Sequence, residues 1–90
     1  MVDKSIKITF HARQRMVARG ATDNEVLTTV READKIPAKR GKWHSVMRFE
    51  FGRPSPVNGL VYAYKTLDAV FAEEPGRIVV LTVKVYYHNE

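Results

Sequence analysis

Residues 9–27, TFHARQRMVARGATDNEVL, restrict the fold more than any other stretch, because two helices and the joint between them can be read directly from them. Gly20 follows the last periodic residue of the first helix, where a left-handed residue ends a helix most easily. Thr22 and Glu25 then form a capping box for the second, the hydroxyl and the carboxylate each satisfying a backbone donor that helix geometry leaves free. The spacing predicts helices over residues 11–19, with Ala12 and Met16 inward, and over residues 23–33, with Val26, Leu27 and Val30 as the buried stripe. On the first helix His11, Arg15 and Arg19 recur every four residues and share one side.

The remainder reads as strands. Residues 5–10 alternate Ile6, Ile8 and Phe10 with polar neighbours, as a half-buried strand does. Pro37 and Gly41 bracket an irregular link with room for a brief edge strand. From residue 42 to 51, Trp43, Ser45, Met47, Phe49 and Phe51 share one face, and His44, Val46, Arg48 and Glu50 the other. Residues 52–59, GRPSPVNG, have turn composition. Residues 60–71 are strand-like, with a break expected near Lys65–Thr66. Glu74-Pro75-Gly76-Arg77 is a turn. The last strand, residues 78–87, places Val79, Leu81, Val83 and Val85 on one side and Thr82, Lys84 and Tyr86 on the other. Helices first and hairpins afterwards imply a single α+β domain over residues 1–90, with two N-terminal helices packed on one face of an antiparallel sheet.

Charge is distributed unevenly. Residues 1–22 carry five Lys/Arg against one acid, residues 39–53 five against one, and the rest five against eight, giving the net +5. Two basic segments on an acidic remainder predict a patch that concentrates phosphates. The chain has no cysteine, which rules out disulfides and thiolate metal sites and fits a reducing cytoplasm. No apolar run reaches signal-peptide or membrane-spanning length, so a cytoplasmic protein with no membrane partner is expected. His11, His44 and His88 are scattered without metal-ligand spacing. With no Gly-rich phosphate loop or nucleophile elbow either, neither metal nor cofactor is expected.

If the apolar strand faces meet the helices, the opposite face presents His44, Arg48, Glu50, Lys84 and Tyr86. That set suits cleavage of an RNA phosphodiester, which needs a base for the 2′-hydroxyl, an acid for the leaving oxygen and cations for the charge on phosphorus. His44 serves as acid or base near neutrality, Glu50 as a base, Arg48 and Lys84 as a phosphate clamp, and Tyr86 as a stacking or hydrogen-bonding group. Arg15, Arg19, Arg40, Lys42 and Lys65 are the further candidates for nucleic-acid contact. A solvated polar face carries the same residue types, so a non-catalytic module binding nucleic acid or protein is the alternative. Trp43 and the tyrosines offer a homodimer contact. A helix-turn-helix reader of DNA fits less well, because its second helix begins Asp23-Asn24-Glu25, and carboxylates repel phosphates.

The runs HARQRMVARGATDNEV and LDAVFAEEPGRIVVLTVKVYY, joined through a basic link, resemble a family of small proteins with an opening His-Ala-x-x-Arg-Met-x-x-Arg-Gly pattern. That family looks related to the RelE/ParE/BrnT-type plasmid-toxin superfamily. The resemblance is sharp in the opening helix and the final hairpin and matches little over residues 52–66. It implies a RelE-like toxin fold, RNA as substrate in free or ribosome-bound form, and an antitoxin protein covering the basic sheet face. In RelE-like cleavers Lys and Arg on the sheet act with a Tyr near the C-terminus, roles that Arg48, Lys84 and Tyr86 match by strand and face. His44 with Glu50 departs from that pattern and leaves the identity of the base open. Members include gyrase inhibitors, so function transfers less firmly than fold.

Overall fold

The computed structural model describes residues 4–90. β1 (Ser5–Ile8) leads into α1 (Phe10–Arg19) and α2 (Asp23–Glu32). A two-residue β2 (Ile36–Pro37) and a 3-10 turn (Lys39–Gly41) precede three long strands, β3 (Trp43–Pro54), β4 (Val61–Glu74) and β5 (Arg77–His88). The sheet order is β1-β5-β4-β3-β2, and all pairings are antiparallel except that β1 lies parallel to β5. The architecture is α+β, consistent with a RelE-like arrangement, but the sheet is mixed where an antiparallel one was expected. Every hairpin in the chain is antiparallel by connection. β1 joins no hairpin, and it takes the free side of the last strand.

The caps form as the sequence dictates. Thr9 starts α1 by accepting from the Ala12 amide at 3.1 Å. Gly20 ends it at φ 85°, its amide donating to Met16 O at 2.8 Å. In the capping box the Thr22 amide donates to Glu25 Oε1 at 2.9 Å and the Glu25 amide donates to Thr22 Oγ1 at 3.2 Å. Ala12, Met16, Val26 and Val30 bury against Leu67, Ala69, Phe71, Val80, Val83 and Val85 of the sheet. Thr29, not Leu27, completes the α2 stripe: its hydroxyl donates to Glu25 O at 2.8 Å, which lets a polar side chain be buried.

The strands depart from expectation at three places. β4 runs unbroken through Lys65, because the lysine finds partners inside the fold. Its ammonium is paired with Glu25 Oε1 at 2.7 Å and also donates to Gly20 O. In β5 the pairing slips between Val70↔Thr82 and Phe71↔Val80, leaving Leu81 extra. This bulge inverts the expected alternation: Ile78 and Val80, not Val79 and Leu81, join Val83 and Val85 on the helix side. A second irregularity, between Glu50 and Arg53, extends β3 to Pro54, beyond its expected end.

The turn between the helices is fastened to the sheet at a few points. Lys65 holds Gly20 O and Glu25, and Tyr87 Oη donates to Arg19 O at 2.7 Å. A Cβ on Gly20 would stand 2.5 Å from Pro56 Cγ and 2.7 Å from Tyr87 Oη. Lys65 is 2% exposed and Glu25 17% by side chain, so removing one partner strands the other charge. Lys65→Ala should therefore lower stability by about 3–5 kcal/mol in urea unfolding; a loss under 1 kcal/mol would show the pair to be incidental.

Burial, with Glu25 nearby, raises the Tyr87 pKa, against the opposing effect of Arg53. The neutral phenol thus contributes stability below the ordinary tyrosine value of about 10, and that contribution is lost as pH rises through the raised one. Tyr87→Phe should cost about 1 kcal/mol at neutral pH and flatten the alkaline limb of a stability-versus-pH curve. An unchanged limb would assign the alkaline loss to another group.

Candidate nucleic-acid interface

The strand register builds the face turned away from the helices row by row. His44, Val70 and Thr82 lie abreast, as do Val46, Asp68 and Lys84, then Arg48, Thr66 and Tyr86, and finally Glu50, Tyr64 and His88. Alternation in β3 and β5, linked through the β4 register, therefore places His44, Arg48, Glu50, Lys84 and Tyr86 on one face. It does not bring them to one point. His44 and Glu50 are six residues apart on a strand, a separation of about 20 Å at 3.3 Å per residue. The face divides into two groups.

The first group surrounds His44. Its Nδ1 lies 2.9 Å from Asp68 Oδ1, and the two side chains are 28% and 16% exposed. An ionised carboxylate only accepts, so the hydrogen of this contact sits on Nδ1, and in a neutral imidazole that leaves the lone pair on Nε2. Asp68 stands directly opposite Lys84 across β4 and β5. Lys39, Lys42, His44, Asp68 and Lys84 line a cleft of about 400 Å³. Lys39 and Lys42 reach it because the 3-10 turn, with Arg40 at φ 59° and Gly41 at φ 72°, folds the basic link back beside β3. The result is an imidazole with a fixed tautomer among ammonium groups, in a cleft of a size that accommodates a phosphate.

The second group is aromatic. The Arg48 guanidinium sits 4.4 Å over the Tyr64 ring, and Tyr64 stacks with His88 at 5.8 Å and 29°. His88 Nε2 lies 2.7 Å from Thr66 Oγ1. Tyr86 is 52% exposed. Glu50 is exposed, lines a separate cleft with Tyr64, and has no ion-pair partner among the described residues. Its distance from His44 removes it from any shared acid–base step, so the expected His44–Glu50 pairing is replaced by His44–Asp68.

The other candidates separate clearly. Lys42 joins the His44 cleft, and Arg40 is exposed on the turn beside it. Arg15 and Arg19 line a different cleft, along β5. Lys65 is a correction: it lies on the helix side, buried and paired with Glu25, and cannot meet a nucleic acid in the folded chain. His11 is exposed on α1. Asp68, Lys39, Thr66 and His88 were not anticipated. For Asp68 the signal was present, because alternation from buried Leu67 and Ala69 puts it on the polar face with Lys84.

No helix among the described residues is long and apolar enough to cross a membrane. In histidine ¹⁵N spectra, His44 should show a protonated Nδ1 and an unprotonated Nε2 in its neutral form, with Asp68→Ala returning it to a mixture of tautomers. A wild-type His44 protonated on Nε2 would contradict the dyad. Comparison with protein-family models, with curated proteins and with solved structures returned no match.

Proposed function

We propose that this protein is a toxin-like ribonuclease that holds single-stranded RNA along the open face of the sheet and cleaves it at the His44 end. The observation that carries this reading is the His44–Asp68 dyad, 2.9 Å apart, in a cleft lined by Lys39, Lys42 and Lys84. His44 Nε2 takes the 2′-hydroxyl proton, and the 2′-oxygen attacks the adjacent phosphorus. Lysines stabilise the extra negative charge there. The bond to the 5′-oxygen breaks, and that oxygen takes a proton from the Lys84 ammonium, leaving a 2′,3′-cyclic phosphate and a 5′-hydroxyl. Asp68 is a positioning residue: it keeps the lone pair of His44 aimed at the cleft. Arg48, Tyr64 and Tyr86 supply stacking surfaces for flanking bases, which any base accepts through its π-face.

The resemblance to RelE/ParE/BrnT-type toxins extends this reading to ribosome-bound RNA as a substrate and to an antitoxin covering the same basic face. Inducible expression in bacteria should then arrest growth, and His44→Ala should relieve the arrest while the protein stays folded.

In vitro, a 5′-labelled single-stranded RNA should yield cyclic-phosphate ends. His44→Ala should slow that cleavage by about 10²–10⁴-fold, the usual contribution of a positioned acid or base, while leaving RNA affinity nearly intact. A 2′-deoxy substitution at the scissile position should abolish the reaction. Cleavage of the deoxy substrate, or an undiminished rate in His44→Ala, would overturn the mechanism.

A binding module without catalysis is the second reading, favoured by Arg48 lying over Tyr64 instead of turning toward the His44 cleft. Both readings require salt-dependent binding. With Lys39, Lys42 and Lys84 each neutralising one phosphate, the log–log slope against salt is about −2, at −0.7 per contact. Lys84→Ala should reduce it by about 0.7. RNA bound with that slope and never cut would select the second reading.

A further inference from the structure

We infer that the outer edge of β5 is a docking strand for an extended acidic segment of another protein, which adds to the sheet there and places carboxylates against Arg15 and Arg19. This is independent of the RNA reading. β1 pairs with β5 only from Arg77 to Val80. The last bonds on that side come from Thr9, whose amide donates to Val80 O at 3.1 Å and whose hydroxyl donates to Leu81 O at 3.4 Å. Beyond them the chain enters α1, which packs over the helix-side face of β5 and does not pair with its edge. Among the described residues no strand lies beside the rest of β5. A cleft of about 350 Å³ opens there, lined by Arg15 and Arg19 of α1 and by residues 82–86 of β5. Neither arginine has a carboxylate partner among the described residues.

The chemistry of the cleft selects its occupant. A strand edge presents amide donors and carbonyl acceptors in alternation. A nucleic-acid backbone offers mainly phosphate acceptors, with 2′-hydroxyls as its donors in RNA, whereas an extended peptide carries donors and acceptors at the spacing of the strand itself. A second copy of this chain paired edge to edge would bring Arg15, Arg19 and Lys84 against their own equivalents, so charge disfavours self-pairing. Spacing points the same way. Four residues of α-helix separate the two arginines by about 6 Å along the axis. Residues i and i+2 of a strand point to one side and lie about 6.7 Å apart. A segment with acidic residues at alternate positions therefore sets one carboxylate against each guanidinium while its backbone pairs with β5.

The test uses a fluorescein-labelled heptapeptide, Thr-Val-Glu-Val-Glu-Val-Thr, and the same peptide N-methylated at alternate amides. In fluorescence anisotropy with the full chain, the unmodified peptide should bind. N-methylation, or the double variant Arg15→Glu, Arg19→Glu, should each weaken it by about tenfold or more. Both arginines are exposed, and the circular dichroism of the double variant checks its fold. Amide NMR signals of residues 82–86 should move on binding. Equal affinity for the N-methylated peptide would mean charge attraction without strand pairing and would overturn the inference. So would an absence of binding, or a single-stranded RNA that needs Arg15 and Arg19 while the peptide does not bind.

Discussion

The buried ammonium of Lys65 connects the two layers of this protein. A lysine within a central strand is costly unless its ammonium is paired and hydrogen-bonded. Here Glu25, in the first turn of α2, and Gly20 O, at the end of α1, take two of its hydrogens, and the Phe51 ring lies 5.3 Å from it. Glu25 also closes the capping box of α2 through the same Oε1. One carboxylate thus starts a helix and neutralises the sheet beneath it. The position of α1 over β5 and of α2 over β4 and β3 follows, with Tyr87 adding a second fastening at Arg19 O.

Once the helices are fixed on one side, the other side of the sheet stays open, and period-two alternation decides what it carries. β3, β4 and β5 are long enough, at 12, 14 and 12 residues, to spread polar groups over several rows. Length also disperses them. The imidazole with its carboxylate and lysines occupies one end, and the arginine–tyrosine–histidine stack the other. On the proposed reading, a ligand spanning both is extended and flexible, as a single strand of nucleic acid is. Duplex RNA presents a stiffer, more convex surface.

Much of this was legible in the residues. The capping box, Gly20 and the Ala12–Met16 stripe define the helical pair without tertiary information. The alternation of β3 correctly separated Ser45, Met47 and Phe49 from His44, Arg48 and Glu50. What escaped depends on contacts between distant residues. Lys65 resembles a surface cation until Glu25, forty positions earlier, is known to lie over it. The Leu81 bulge is invisible locally, because Val79, Val80 and Leu81 are interchangeable by hydropathy. Asp68 became a partner of His44 only through the β3–β4 register, which placed Val70 opposite His44 and Asp68 one step diagonal to it. Parallel pairing of β1 likewise depends on where the last strand begins beside it, not on residues 5–8.

On the proposed reading, a ribonucleotide backbone lies at the His44 end of the open face. Amide and imidazole NMR shifts during titration with a 2′-O-methylated single-stranded RNA, which binds without being cut, test it most directly. Shifts should centre on Lys42, His44, Asp68 and Lys84 and extend to Arg48 and Tyr86, with the outward side of α1 around Phe10 and Val17 silent. Shifts confined to α1, or none at RNA concentrations that saturate other basic domains, would contradict it.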